Sequence, residues 1–197
     1  MNPTKFRQWC QRVGLDIKDH QLDGYEWCIE RENDAHHRGG IISDEMGLGK
    51  TILMLGCMAT NPQKNTLIVV PPALLAQWKK CIKQFLDHDV FVYHGMRAKR
   101  VSVDELKRHP IVLTTYGMMA VRNKPLNYRS LLWGPNIKWG RLICDEAHHM
   151  RNIKTGMCKG AFRILSDIRW MVSGTPLQNK KSDLRVLFAQ SGLMVNG

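Results

Sequence analysis

A lysine and a threonine follow closely spaced glycines in the segment IISDEMGLGKTILML, residues 41–55. Glycines let backbone N–H groups approach phosphate oxygens, and a helix that begins there adds partial positive charge. Lys50 would then contact the β- and γ-phosphates of a nucleotide, and the Thr51 hydroxyl would bind Mg²⁺. The strict phosphate-loop pattern has glycine where Asp44 stands, so this loop alone also fits a tight glycine turn that binds no nucleotide.

Two adjacent carboxylates end another apolar stretch, LICDEAHHM at 142–150. In a nucleotide-hydrolysing site, Asp145 would hold the magnesium shell, and Glu146 would position and activate the attacking water. An ordinary acidic turn is the alternative. Because both motifs follow separate apolar runs in the expected order, they favour a nucleotide site when taken together.

Hydroxyl side chains occupy a third turn, MVSGTPLQN at 171–179. Ser173 and Thr175, on either side of Gly174, could hydrogen-bond to the acidic loop and so sense the state of the nucleotide, with His148 as the obvious partner. Taken alone, this segment predicts only a turn.

The elements that must position these residues are short apolar runs alternating with helical patterns. The runs are GGII, TLIVV, VFVY, IVLTTY, RLIC and RWMV, while KTILMLGCMAT predicts a helix. A second helical face is marked by Leu74, Leu75, Trp78, Ile82 and Phe85. This alternation predicts an α/β fold, in which a mostly parallel sheet carries helices on both faces. Ligands of such sheets bind beyond the carboxyl ends of the strands, where the three motifs stand.

Composition limits the class of protein. The 197 residues suit one domain, and the six cysteines form no Cys-x-x-Cys pair, so we expect reduced thiols in a soluble, intracellular protein. No apolar run is long enough to span a bilayer.

The net charge is +12, with 22 Lys and Arg against 8 Asp and Glu after position 50. This excess favours a polyanionic partner such as nucleic acid, although a merely solvated basic surface is the alternative.

Together, the segments resemble the Swi/Snf-type ATPases of helicase superfamily two. The similarity extends from about Lys18 to the C-terminal end, through DHQLDGYEW, DEMGLGKT, VVPPALLAQW, VYHG, TTYGMM, DEAHHMRN and SGTPLQNKKSDL. In this family acids stand before MGLGKT, so Asp44 belongs to the pattern. The resemblance implies a RecA-like P-loop domain that binds ATP and Mg²⁺ and contacts nucleic acid, with duplex DNA as the expected partner.

The resemblance also implies roles for particular residues. Gln21 would read the adenine edge, and Lys50, Asp145 and Glu146 would be catalytic. The other nucleotide contacts would be Met46, Gly47, Leu48, Gly49 and Thr51. PPALLAQW and TTYG would face a nucleic-acid strand, with candidate contacts at Pro72, Gln77, Lys79, Lys80, Thr114, Thr115 and Tyr116. Trp78 continues the apolar helical face and is expected in the core, whereas Tyr116 fits a core position and a contact equally well.

Family members carry a second RecA-like lobe with arginines that complete the ATP site, and no segment before Gly197 matches it. We therefore expect residues 1–197 to be the N-terminal lobe, with a short helical leader at about 1–17 and with little activity in isolation. The function expected is that of a nucleic-acid-dependent ATPase or DNA translocase. The alternatives are an RNA helicase lobe, since DEAH also occurs there, and a non-catalytic binding module with a degenerate nucleotide site.

Overall fold

The computed structural model describes residues 4–43, 49–121, 130–150, 152–174 and 189. Six strands form one sheet, and every neighbouring pair is parallel. In chain order the strands are β1 (Gly39–Ile42), β2 (Thr66–Val70), β3 (Phe91–Tyr93), β4 (Ile111–Thr115), β5 (Lys138–Cys144) and β6 (Leu165–Val172). Their order across the sheet is β1-β6-β5-β2-β4-β3. The predicted parallel α/β sheet is confirmed.

Helices cover both faces of the sheet. They are α1 (Thr4–Arg12), α2 (Asp19–Asn33), α3 (Lys50–Thr60), α4 (Leu75–Leu86), α5 (Val103–Arg108), α6 (Tyr116–Met119) and α7 (Gly156–Arg163), with 3-10 turns at Pro72–Leu74, Arg97–Arg100 and Ala147–Met150. Leu67 and Val69 of β2 point into one buried cluster and Ile68 and Val70 into the other. This two-sided burial explains why TLIVV is continuously apolar. Within the described ranges, no helix has the length and apolar character needed to cross a bilayer.

The predicted helical leader is part of the domain core. Phe6 of α1 stacks on Tyr25 of α2 with 4.0 Å between ring centroids. A Cβ atom at Gly56 of α3 would lie 2.2 Å from the Phe6 ring, so the close approach of α1 to α3 requires glycine there. The first helix therefore belongs to the same packed unit as the sheet.

A buried ion pair fixes α2 to the sheet. Arg141 of β5 donates to both carboxylate oxygens of Glu32, at 2.7 and 2.6 Å. Trp170 and Asn61 also donate to this carboxylate, at 2.8 and 2.7 Å. Arg141 pairs in the sheet with Thr66, the first residue of β2, and so lies toward the end of the sheet opposite the acidic motif.

Candidate functional site

Three motif-bearing strands end side by side. Ile42 of β1 pairs with Val172 of β6, and Cys144 of β5 pairs with Met171. The backbone N–H of Ser173 donates to the Ile42 carbonyl at 2.9 Å, which continues the ladder past the end of β6. The segments that follow these strands are the phosphate-loop motif after β1, the acidic motif after β5 and the hydroxyl turn that begins at Ser173 after β6. All three therefore leave the sheet at the carboxyl ends of its strands, as the parallel topology requires.

Helix α3 begins at the predicted phosphate-binding lysine. Gly49 precedes it with φ 83°, a left-handed conformation that favours glycine, and Lys50 is the first helical residue. Residues 44–48, which include Asp44 and three predicted nucleotide contacts, lie outside the described residues. Thr51 is half-buried in the first helical turn. A phosphate near this helix end would meet backbone N–H groups and the Lys50 ammonium.

The predicted adenine-reading residue lies against the start of α3. A Cβ atom at Gly49 would be 2.5 Å from Nε2 of Gln21, so the amide and the glycine are in close contact. Oε1 of Gln21 accepts from the Lys18 backbone N–H at 3.2 Å, which helps to cap α2. Gln21 is therefore held beside the start of α3, while its role as a base contact stays a prediction.

Asp145 is held by hydrogen bonds to both carboxylate oxygens. Trp78 Nε1 donates to Oδ2 at 2.8 Å, and the Glu146 backbone N–H donates to Oδ1 at 2.9 Å. Burial raises the pKa of Asp145 above its ordinary value, and the negative charge of Glu146 adds to the rise, while these two donors and the positive charge of Lys50 offset part of it. Each oxygen retains a second lone pair. Mg²⁺ prefers oxygen ligands and takes few from the protein, so Asp145 with the Thr51 hydroxyl is a chemically suitable donor set.

Glu146 and Ser173 share a histidine partner. Nδ1 of His148 lies 3.0 Å from Oε2 of Glu146 and 3.4 Å from the Ser173 hydroxyl oxygen. The structure therefore contains the contact predicted between the hydroxyl turn and the acidic loop. Its role in sensing nucleotide stays a prediction, as do the roles of Gly174, which is buried, and of Thr175, which lies outside the described residues.

The expected nucleic-acid contacts separate into two groups. Pro72, Gln77, Lys79 and Lys80 are exposed on α4 and the turn before it. The other three candidates are buried, so the expectation that their side chains contact nucleic acid is corrected: they are Thr114, Thr115 and Tyr116. Strand β4 lies between β2 and β3 and has both faces covered, which places its last side chains inside.

The hydroxyls of these three residues are used within the domain. Thr114 donates to the Tyr93 carbonyl at 2.8 Å, and Thr115 lies 3.2 Å from Nδ1 of His94. Tyr116 donates to the backbone carbonyl of Asp145 at 2.6 Å. The core alternative for Tyr116 is therefore the one that the structure shows.

Trp78 is buried, as its helical position predicts, but its hydrogen bond to Asp145 was not anticipated. A buried indole N–H requires a hydrogen-bond acceptor, so the sequence does predict that Trp78 has one. The sequence does not show which of the many acceptors supplies it, because 67 residues separate the two side chains.

Comparison with protein-family models matches residues 20–191 to the SNF2-related domain. An uncharacterized ATP-dependent helicase of Schizosaccharomyces pombe is 35% identical over 185 residues, which cover 83% of this chain and 18% of the relative. DNA repair protein RAD5B of Arabidopsis thaliana is 32% identical over 184 residues, covering 75% of this chain and 14% of the relative. The chain thus spans less than a fifth of either relative.

A solved structure shows the same fold. The SWI2/SNF2 ATPase core of Sulfolobus solfataricus in complex with double-stranded DNA matches with a TM-score of 0.70 and 25% identity, over 89% of this chain and 35% of that one. The family match, the parallel sheet and the grouping of the three motifs at one edge agree. The chain belongs to the SNF2-related family of helicase-like ATPase domains, and its fold is that of a RecA-like lobe of the SWI2/SNF2 core.

Proposed function

We propose that the chain is the ATP-binding lobe of a DNA-dependent ATPase that translocates on duplex DNA. The observation that carries the proposal is geometric: Asp145 and Glu146 follow β5 at the same end of the sheet at which α3 begins with Lys50, and His148 contacts both Glu146 and Ser173 there. An acid pair and a helix N-terminal lysine at one end of a parallel sheet are the parts that phosphoryl transfer uses in phosphate-loop enzymes.

Each residue of the proposed site has a separate role in ATP binding and hydrolysis. Lys50 and the start of α3 bind the β- and γ-phosphates, and Gln21 contacts the base. Asp145 and Thr51 would hold Mg²⁺, which would supply positive charge beside the phosphate oxygens. Glu146 orients the attacking water and accepts its proton, while His148, 3.0 Å from Glu146, orients that carboxylate.

The DNA part of the proposal rests on the exposed surface of α4 and on a relative. Gln77, Lys79 and Lys80 present polar and positively charged groups to solvent. The Sulfolobus core to which the chain is similar was solved with double-stranded DNA. The RNA helicase alternative predicts equal or greater ATPase stimulation by duplex RNA than by duplex DNA. The non-catalytic alternative predicts no ATP binding.

The direct test is a titration of the 197-residue chain with a fluorescent ATP analogue in Mg²⁺. Lys50→Ala is expected to weaken binding strongly, by 10-fold or more, because it removes a charge-assisted contact to phosphate. Lys64→Ala, an exposed lysine just before β2 at the other end of the sheet, is the matched control and should bind like wild type. Equal affinities for wild type and a folded Lys50→Ala variant would refute the phosphate site.

A further inference from the structure

The acidic motif is hydrogen-bonded to two elements that carry none of the predicted nucleotide-binding residues. Asp145 follows β5 and receives the Trp78 indole N–H on its carboxylate at 2.8 Å. It receives the Tyr116 hydroxyl on its backbone carbonyl at 2.6 Å. Trp78 belongs to α4 and Tyr116 begins α6, so one residue is held from two separate segments of the chain.

Trp78 joins an exposed surface to a buried carboxylate. Its neighbours Gln77 and Lys79 are exposed on α4, whereas the Trp78 side chain is only 1% exposed and is packed between the helix and the sheet. A closely packed, rigid indole cannot stay in place if the helix shifts or rotates. A displacement of α4 relative to β5 that follows binding at its outer surface would therefore change the hydrogen bond to Asp145.

Tyr116 makes a second connection to the same motif. Tyr116 is buried, and its hydroxyl donates to the Asp145 backbone carbonyl at 2.6 Å. Its ring lies 5.4 Å from that of His149, which stacks on His148 at 4.7 Å. His148 contacts both Glu146 and Ser173. A path of direct contacts thus runs from α6 through the histidines to the predicted base.

We propose that Trp78 and Tyr116 are positioning residues that couple binding of duplex DNA at α4 to the magnesium-binding carboxylate of Asp145. The proposal rests on the function proposed above and adds a route by which DNA controls the site. Binding at α4 adjusts the direction of the Asp145 lone pairs through Trp78. Tyr116 anchors the backbone of Asp145, so that the carboxylate turns while its main chain stays fixed.

The test measures how much Mg²⁺ strengthens binding of a fluorescent ATP analogue to the 197-residue chain. For Trp78→Phe we expect affinity in EDTA to stay near wild type, because the phosphate contacts of Lys50 remain. The gain in affinity on adding Mg²⁺ is expected to fall about 10-fold, as is typical when a partner of a metal-binding side chain is removed. If Mg²⁺ strengthened binding of the ATP analogue by Trp78→Phe as much as by wild type, the proposal would be overturned.

Trp139→Phe is the matched control. Trp139 is also fully buried and donates its indole N–H at 3.2 Å, but to the Leu132 carbonyl. It lies on β5 six residues before Asp145, roughly 20 Å away along the strand. Trp139→Phe should keep the full increase in ATP-analogue affinity on adding Mg²⁺. If this increase fell as much as in Trp78→Phe, the effect of Trp78 would be one of general packing.

Coupling to DNA is measured in the same titration with duplex DNA added. DNA is expected to strengthen Mg-ATP binding by wild type but not by Trp78→Phe, and to do so less for Tyr116→Phe. An identical DNA effect in all three proteins would overturn the coupling. A wild-type chain that binds neither ATP nor DNA would instead refute the proposed function.

An independent readout needs no variant. In ¹⁵N-labelled wild-type chain, the assigned indole N–H signal of Trp78 is expected to shift when Mg²⁺ is added to the ATP complex, and again when duplex DNA is added. The Trp139 signal should remain in place. A Trp78 signal that responds to neither addition would overturn the proposal even if Trp78→Phe fails to fold.

Discussion

Glu146 has a backbone conformation that few residues other than glycine adopt. Its φ is 53°, in the left-handed region, where a non-glycine residue is strained unless its surroundings hold it. Here its N–H donates to the carboxylate of Asp145, and its carbonyl accepts from the His149 N–H at 3.1 Å. These bonds turn the chain sharply after β5 and bring the Glu146 side chain to His148. Such conformations concentrate at functional sites, which agrees with the role proposed for this carboxylate.

Replacement of Glu146 by glutamine separates binding from turnover. The amide keeps the size of the side chain and removes its ability to accept a proton, so Mg-ATP affinity should stay within about threefold of wild type while turnover falls by a factor on the order of 10² or more. Turnover is measured as phosphate release by a longer protein that contains the second lobe, and affinity by titration of the same variant. Normal phosphate release would remove Glu146 from the role of base.

At the scale of elements, local sequence patterns predict where the strands are but not how they are ordered. GGII and TLIVV coincide with β1 and β2, and KTILMLGCMAT coincides with α3, because burial on both faces and helical periodicity are local properties. The strand order β1-β6-β5-β2-β4-β3 depends on contacts between distant segments. For the same reason the motifs predict the acid pair, whereas the bonds from Trp78 and Tyr116 to Asp145 are visible only in the folded chain.

The partner of the buried Arg141 is likewise not predictable from local sequence. Arg141 stands four residues before Asp145, so its position in the sequence is compatible with a place beside the nucleotide. The structure instead pairs it with Glu32 of α2, with neither side chain more than 1% exposed. This pairing assigns Arg141 to the attachment of α2, and the acid pair lies roughly 13 Å further along the strand.

Removal of Arg141 is therefore expected to affect stability more than binding. Arg141→Met leaves the Glu32 carboxylate buried without its cation, which typically costs about 3–5 kcal/mol in the free energy of unfolding. Urea denaturation measures this loss. The double variant Glu32→Leu with Arg141→Met removes both charges and should recover part of it. A loss below about 1 kcal/mol in the single variant would mean that the pair contributes little to the attachment of α2.

At the scale of the whole molecule, the excess of positive charge predicts binding to duplex DNA that weakens steeply with salt. The double variant Lys79→Glu with Lys80→Glu should lower the affinity for duplex DNA. It should also reduce the slope of log affinity against log salt by the equivalent of roughly two phosphate contacts. Fluorescence anisotropy with labelled duplexes over a series of salt concentrations measures both quantities. The control pair is Lys107→Glu with Arg108→Glu on α5, which is also exposed. An equal effect in the control would show that binding follows net charge and not the surface of α4.

We propose that this lobe supplies half of an ATP site. In the proposed site Lys50, Asp145 and Glu146 would bind phosphate, magnesium and water, but charge that develops during phosphoryl transfer also requires a positioned arginine. The resemblance places that arginine on a second lobe. Arg141 is paired with Glu32, and Arg38 donates to the Glu32 carbonyl at 2.7 Å, so these two arginines are engaged within the domain.

The most direct measurement is steady-state phosphate release by the 197-residue chain, with and without duplex DNA, beside a longer protein that includes the second lobe. An arginine of this kind is worth on the order of 10³ or more in rate. We predict that the short chain binds Mg-ATP and releases phosphate at a barely detectable rate even with saturating DNA, and that the longer protein restores DNA-stimulated turnover. Robust DNA-stimulated turnover by the 197-residue chain would contradict the half-site account.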